Sequence, residues 1–224
     1  MLNFNNIPPI TKKIILLNLI VFGLQNFIPT FNFNFALHFF KSPDFEPYQI
    51  LTHMFMHGGF THLLFNMFGV YMFGSAIENR LGDKKFLIFY LLTGLGAVFL
   101  HMGSQLIENY ETVNKIESLY SQVLITEKEM SIGYFNTFSI TLGASGALFG
   151  LLTAFGMLFP NQPIYLMFIP IPIKAKFFVL LYAGYELFQG IQISAGDNIA
   201  HFAHLGGALF GWLIILEWKR KRLI

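Results

Sequence analysis

The chain has 224 residues, 54% of them hydrophobic and 12% charged, with a net charge of +2 and no cysteine. A soluble domain carries about twice that charged fraction, so an ordinary water-soluble globule is excluded. The small net charge argues against a nucleic-acid partner, and the missing cysteine excludes disulfides and thiolate chemistry. Apolar runs of about 20 residues, the length that crosses a bilayer, recur along the chain and predict an all-α polytopic membrane protein.

Six spans are expected within a single membrane domain covering residues 1–224. The first, Ile14 to Phe31, follows Lys12 and Lys13. It continues past signal-peptide length without a small-residue cleavage site, so no cleavable signal is expected. An outer connection rich in Phe and His, Asn32 to Gly59, leads to the second span, Phe60 to Ile77. This span opens THLLFNMFG, which puts His62 and Asn66 four apart on one helix face. The third span is Phe86 to Leu106. After it, Ile107 to Thr141 carries Tyr110, Val113, Ile116, Tyr120 and Val123 at helical spacing among acidic residues. That pattern suggests an amphipathic helix that rests on the membrane or the bundle, or docks substrate. The fourth span, Leu142 to Phe159, opens LGASGALFG, with Ser145 set among small residues. The fifth, Phe177 to Ile193, holds Glu186, the one acidic residue deep in a span, for which a bonded structural role or a gating role is expected. The sixth, Ile199 to Trp218, begins with His201 and His204 in AHFAHLGGALFG.

Lys and Arg set the orientation. One side collects Lys12, Lys13, Arg80, Lys84, Lys85, Lys174, Lys176, Lys219, Arg220, Lys221 and Arg222; the other has only Lys41, Lys115 and Lys128. This bias puts both termini in the cytoplasm and makes the even-numbered spans run from outside to inside.

Polar groups in a span need a partner or a function. His62, Asn66, Ser145, His201 and His204 all fall in the outer halves of the even-numbered spans. Ser145 to Phe159 is fifteen residues, or about 22 Å of helix, against about 30 Å of hydrocarbon. Ser145 therefore lies a little below the outer surface, and His204 comes to a similar depth. Gly146 and Gly150 form one small-residue face, and Gly207 and Gly211 another. If those faces meet, a neutral imidazole can take the proton of the serine hydroxyl. The oxyanion then finds donors in the Ser145 N–H, the Asn66 amide and His62. No acidic residue lies near enough in these motifs to complete a triad, so a Ser–His dyad is expected. His204, followed by glycines at +3 and +7, is the expected base; His201 lies nearer the surface and is expected to bond the loops above. The bland alternative for each motif is helix packing.

Three motifs together resemble the rhomboid family of intramembrane serine proteases, in its six-helix prokaryotic form. They are H-x-x-x-N (His62 to Asn66), G-x-S-G (Gly143 to Gly146) and A-H-x-x-G-x-x-x-G (Ala203 to Gly211), and ENRLG (Glu78 to Gly82) and Asn18 are also similar to the family. The resemblance implies a rhomboid-like bundle in a bacterial cytoplasmic membrane that cleaves transmembrane proteins near the outer face. It implies Ser145 as nucleophile, His204 as base, and oxyanion support from His62, Asn66 and the Ser145 N–H. Two departures stand out. Tyr48 and Gln49 occupy places where many members carry Trp-Arg. Phe149 replaces a Tyr that in some members stacks on the catalytic imidazole, keeping the ring and losing the hydroxyl.

Two other readings compete. A non-catalytic relative that only binds membrane proteins would have no need of an intact Ser145 and His204. A metal enzyme built on His53, His57, His62, His101, His201 and His204 fits poorly, since His53 and His62 lie about 180° apart on a continuous helix. No cofactor or metal is therefore expected.

Overall fold

The fold is described from a computed structural model covering residues 7–138, 140–166, 169–192 and 200–224. The chain is mostly helical. Among the described residues, three helices are long and apolar enough to cross a membrane: Pro9–Phe27, Phe60–Leu81 and Asp83–Glu108. The first is α1. The second is α4 (Phe60–Gly69) and α5 (Ser75–Leu81), joined by a π-turn at Val70–Gly74, and the third is α6. Shorter or more charged helices follow: α9 (Ser145–Leu158), α10 (Ala175–Gln192) and α11 (His201–Arg220).

The expected spans shift at their ends. The first begins at Pro9, since proline suits the first helical turn; there the buried Glu78 carboxylate accepts from the Ile10 and Thr11 N–H groups at 2.8 and 2.7 Å. It stops at Phe27, and Phe31–Phe35 forms a separate short helix, α2, with a further single turn, α3 (Gln49–Thr52), before α4. The second continues to Leu81, where Gly82, with φ of 80°, makes the left-handed turn into α6. The fourth begins at Ser145, not Leu142. The expected limits Ile193 and Ile199 lie outside the described residues.

The core of the bundle is α11 packed against α6 and α9. A Cβ on Gly207 would run into the Gly146 carbonyl oxygen, and one on Gly211 would lie 2.9 Å from Gly150 Cα. Two backbones this close leave no room for side chains, which is how small-residue faces join membrane helices. At the other end of these helices, Lys219 Nζ donates to the Met157 carbonyl at 2.8 Å, satisfying an acceptor in the last turn of α9. Leu17, Ile20, Phe65, Phe68, Leu181, Phe188 and Leu213 are exposed on the bundle exterior, an apolar surface suited to lipid and not to water.

Two connections carry structure of their own. Between α9 and α10, β1 (Pro163–Leu166) pairs antiparallel with β2 (Ile169–Lys174), with Ile164 opposite Ile173. The long outer connection forms two helices, α7 (Tyr110–Ser121) and α8 (Glu127–Thr137), the latter opened by a Thr126–Glu129 capping box. Val113 of α7 is buried with Phe39, Tyr134 and Phe138, and Lys41 pairs with Glu117 at 2.9 Å. The apolar side of α7 at Val113 and Ile116 thus packs on α8 and the first outer connection, whereas Tyr110, Tyr120 and Val123 are exposed.

Candidate active site

Ser145 is the first residue of α9, where backbone N–H groups have no partner within the helix. The irregular stretch before it is held by the first outer connection. Leu37 and Thr141 exchange two backbone hydrogen bonds of 2.9 Å, and Gly143 N–H donates to the His53 carbonyl at 2.9 Å. Gly143 has φ of 134°, a conformation that favours glycine, and bends the chain into the helix.

His204 lies in the first turn of α11 and is buried. The α9–α11 contact brings its Nε2 to 2.9 Å from Ser145 Oγ. Phe149, one turn below Ser145, stacks on the imidazole with ring centroids 4.3 Å apart and planes 7° apart. Tyr182 of α10 in turn packs on Phe149, at 4.8 Å. Gly146 lies against Gly207 at the level of the pair, and Gly150 against Gly211 one turn along.

His62 and Asn66 come from α4. The Gly58 N–H donates to His62 Nδ1 at 3.4 Å, so the proton of the neutral ring is on Nε2. The position that a Cβ on Gly143 would take is 3.0 Å from His62 Nε2 and 3.6 Å from Ser145 Oγ. The lack of a side chain there leaves a gap between a proton donor and the hydroxyl. Asn66, buried, gives one amide hydrogen to the His62 carbonyl at 3.1 Å, which leaves its other N–H for a further acceptor. His53 and His57 are not suited to act as bases. Burial lowers their pKa values to about 4 and about 3, and imidazoles that acidic take a serine proton poorly at neutral pH.

One expectation needs correction and a second residue gains a partner. An acidic residue does reach the pair: Glu186 of α10 accepts at Oε2 from His204 Nδ1 at 2.9 Å. Sequence reasoning missed it because Glu186 lies 18 residues from His204 on another helix, outside every motif. His201, expected to bond the loops above, is buried, and its Nδ1 donates to the same Glu186 oxygen at 2.6 Å. The side-chain donor atoms of Glu186, His201 and His204 lie within 4.8 Å of one another, so these three residues are the group able to hold a metal ion among the described residues. In the present arrangement both Nδ1 atoms are engaged by the carboxylate.

The first outer connection has an anchor that the Trp-Arg comparison did not reveal. Buried Gln49 donates to the Asn34 and Asp44 carbonyls at 3.2 and 3.1 Å and accepts from the His38 and Glu46 N–H groups at 3.3 and 3.1 Å. Gln25 of α1 holds the turn before α4 through both backbone groups of His57, at 2.9 and 3.0 Å. Behind the serine is a cavity of about 30 Å³, bordered by His53, His101, Thr141 and Ser145, large enough for water.

Comparison with known proteins gives a consistent result. The Rhomboid domain family profile matches residues 44–218. The chain is 29% identical over 170 residues to RHOMBOID-like protein 6, mitochondrial, of Arabidopsis thaliana, covering 75% of this chain and 43% of that protein. It is 26% identical over 235 residues to Rhomboid protein 1, mitochondrial, of Saccharomyces cerevisiae, covering 98% and 60%. It is 30% identical over 179 residues to the putative rhomboid protease YdcA of Bacillus subtilis, covering 79% and 70%. The chain thus spans about half the length of the first two relatives, and the relatives come from mitochondria as well as from a bacterium.

Proposed function

The chain belongs to the rhomboid family, whose members are generally intramembrane serine proteases, and from that premise we propose that it is a serine endopeptidase that cleaves transmembrane proteins. The observation that carries this reading is the 2.9 Å contact of Ser145 Oγ with His204 Nε2 across the α9–α11 glycine interface. In the proposed reaction His204 takes the hydroxyl proton as Oγ bonds to the substrate carbonyl carbon. The resulting oxyanion is met by the Ser145 N–H, His62 Nε2–H and the second amide hydrogen of Asn66. The protonated imidazole gives its proton to the departing nitrogen, and water then releases the acyl group by the same route. The cavity behind Ser145 supports a water supply at a depth where lipid would otherwise exclude it.

With six spans and cytoplasmic termini, the Lys and Arg bias puts this site a short way below the outer face of a bacterial cytoplasmic membrane. Substrates are then cut near that face, where a helix weakened by Gly or Pro exposes its peptide bonds. The test is to label the purified protein with a serine-reactive fluorophosphonate and to map both the labelled residue and the cut site of a transmembrane substrate. Ser145 should carry the label, and the cut should fall on the outer side. A label on another serine, or cuts on the cytoplasmic side, would contradict the assignment.

A further inference from the structure

We propose that Glu186 is a positioning residue for this reaction, so that the base is assembled only while α10 is seated on α9 and α11. The inference rests on the serine-protease reading above. A carboxylate within an apolar helix is costly unless it is bonded. Glu186 is buried in the stretch YAGYELFQG, and its Oε2 accepts from both His201 Nδ1 and His204 Nδ1.

The bond to His204 selects a tautomer. With its proton held on Nδ1, the ring presents a lone pair at Nε2 to the serine hydroxyl 2.9 Å away. Without an acceptor at Nδ1 the ring is free to take the Nε2–H form, which offers the serine a proton and cannot accept one. His201 contributes indirectly: as a second donor to the same oxygen it holds the carboxylate in place. Tyr182, four residues before Glu186 and so on the same face of α10, backs Phe149 against the other side of the imidazole. One helix thus controls both the hydrogen bond and the stacking that orient the base.

During acylation the Ser145 proton moves to His204 Nε2 while the Oγ electron pair bonds to the carbonyl carbon. The imidazolium keeps its Nδ1 proton, and Glu186 stays ionised and stabilises that cation. When the C–N bond breaks, the Nε2 proton leaves with the amine. Glu186 gains and loses no proton, and its effect is exerted through His204.

The experiment compares Glu186→Ala, Glu186→Gln and Ser145→Ala with wild type in the purified full chain, measuring kcat and KM on a transmembrane substrate and the thermal unfolding midpoint. By analogy with removal of the orienting carboxylate in soluble serine proteases, Glu186→Ala should lower kcat by about 10²–10⁴-fold with KM nearly unchanged. Glu186→Gln keeps the shape of the side chain, but its amide can turn an N–H toward Nδ1 and favour the wrong tautomer, so it should also lose up to about 10⁴-fold in kcat with KM and the unfolding midpoint nearly unchanged. If Glu186→Ala turns over within about threefold of wild type while Ser145→Ala is dead, this inference is overturned and the protease reading survives. Loss of kcat in Glu186→Ala with a matching rise in KM and a lowered midpoint, together with near-wild-type kcat in the isosteric Glu186→Gln, would reduce Glu186 to a packing residue and also overturn it. Cleavage by Ser145→Ala would remove the protease reading itself.

Discussion

Gly211→Ala connects the helix packing to the chemistry with a single methyl group. That methyl would lie 2.9 Å from both Gly150 Cα and the Gly150 carbonyl oxygen, where ordinary contact is 3.4–4 Å. Both obstacles are backbone, so no side chain can turn aside and α11 must move away from α9 by about 0.5–1 Å. If α11 moves as a rod, the 2.9 Å Ser145–His204 contact stretches to about 3.4–3.9 Å, at or past the limit of a hydrogen bond. Misplacement of this size costs up to about 10²-fold in rate, and a kcat loss of about 10- to 100-fold is expected. The control is Gly23→Ala in α1, where a new methyl meets nothing within 4 Å. Both changes gain about 0.8–1.0 kcal/mol of helix propensity, so any difference between them reports the helix contact. Turnover of a transmembrane substrate, with unfolding midpoints as a check on folding, is the assay. Gly211→Ala turning over as fast as Gly23→Ala would refute the close-contact account.

Asn66→Ala should lower kcat by about 10²–10³-fold while KM changes little, because the role proposed for its amide is to meet charge present only in the transition state; an unchanged kcat removes it from that role. Phe149→Tyr should retain activity, whereas Phe149→Leu should lose about 2- to 13-fold in kcat, corresponding to the 0.5–1.5 kcal/mol of an aromatic stack; equal rates for the two would show that the stack contributes nothing. His204→Ala should abolish both turnover and fluorophosphonate labelling, while His201→Ala, which touches Glu186 and not the serine, should leave measurable activity. The reverse pattern would exchange their roles.

Much of the candidate site was legible because membrane packing leaves a local signature. Close helix approach is marked by small residues four apart, and Gly146 lies against Gly207 and Gly150 against Gly211. Ser145 and His204 could be matched in depth by counting residues from the helix ends. Glu186 could not be paired in this way. A helix with lipid on one side and an apolar core on the other has little amphipathic pattern, so the sequence of α10 does not fix its rotation about its own axis. The same ambiguity hid the link from His201 to α10. Gln49 was hidden for a different reason. It satisfies four backbone groups brought together by the path of the first outer connection, and that path exists only once the chain is folded.

The most direct measurement is cleavage of a transmembrane substrate by purified wild type and Ser145→Ala in proteoliposomes, each with and without chelator and each with its unfolding midpoint recorded. The account predicts that wild type cuts at the same rate with chelator present and that folded Ser145→Ala does not cut at all. Cleavage by Ser145→Ala, or loss of wild-type cleavage on chelation, would contradict a reaction carried by a serine and an imidazole.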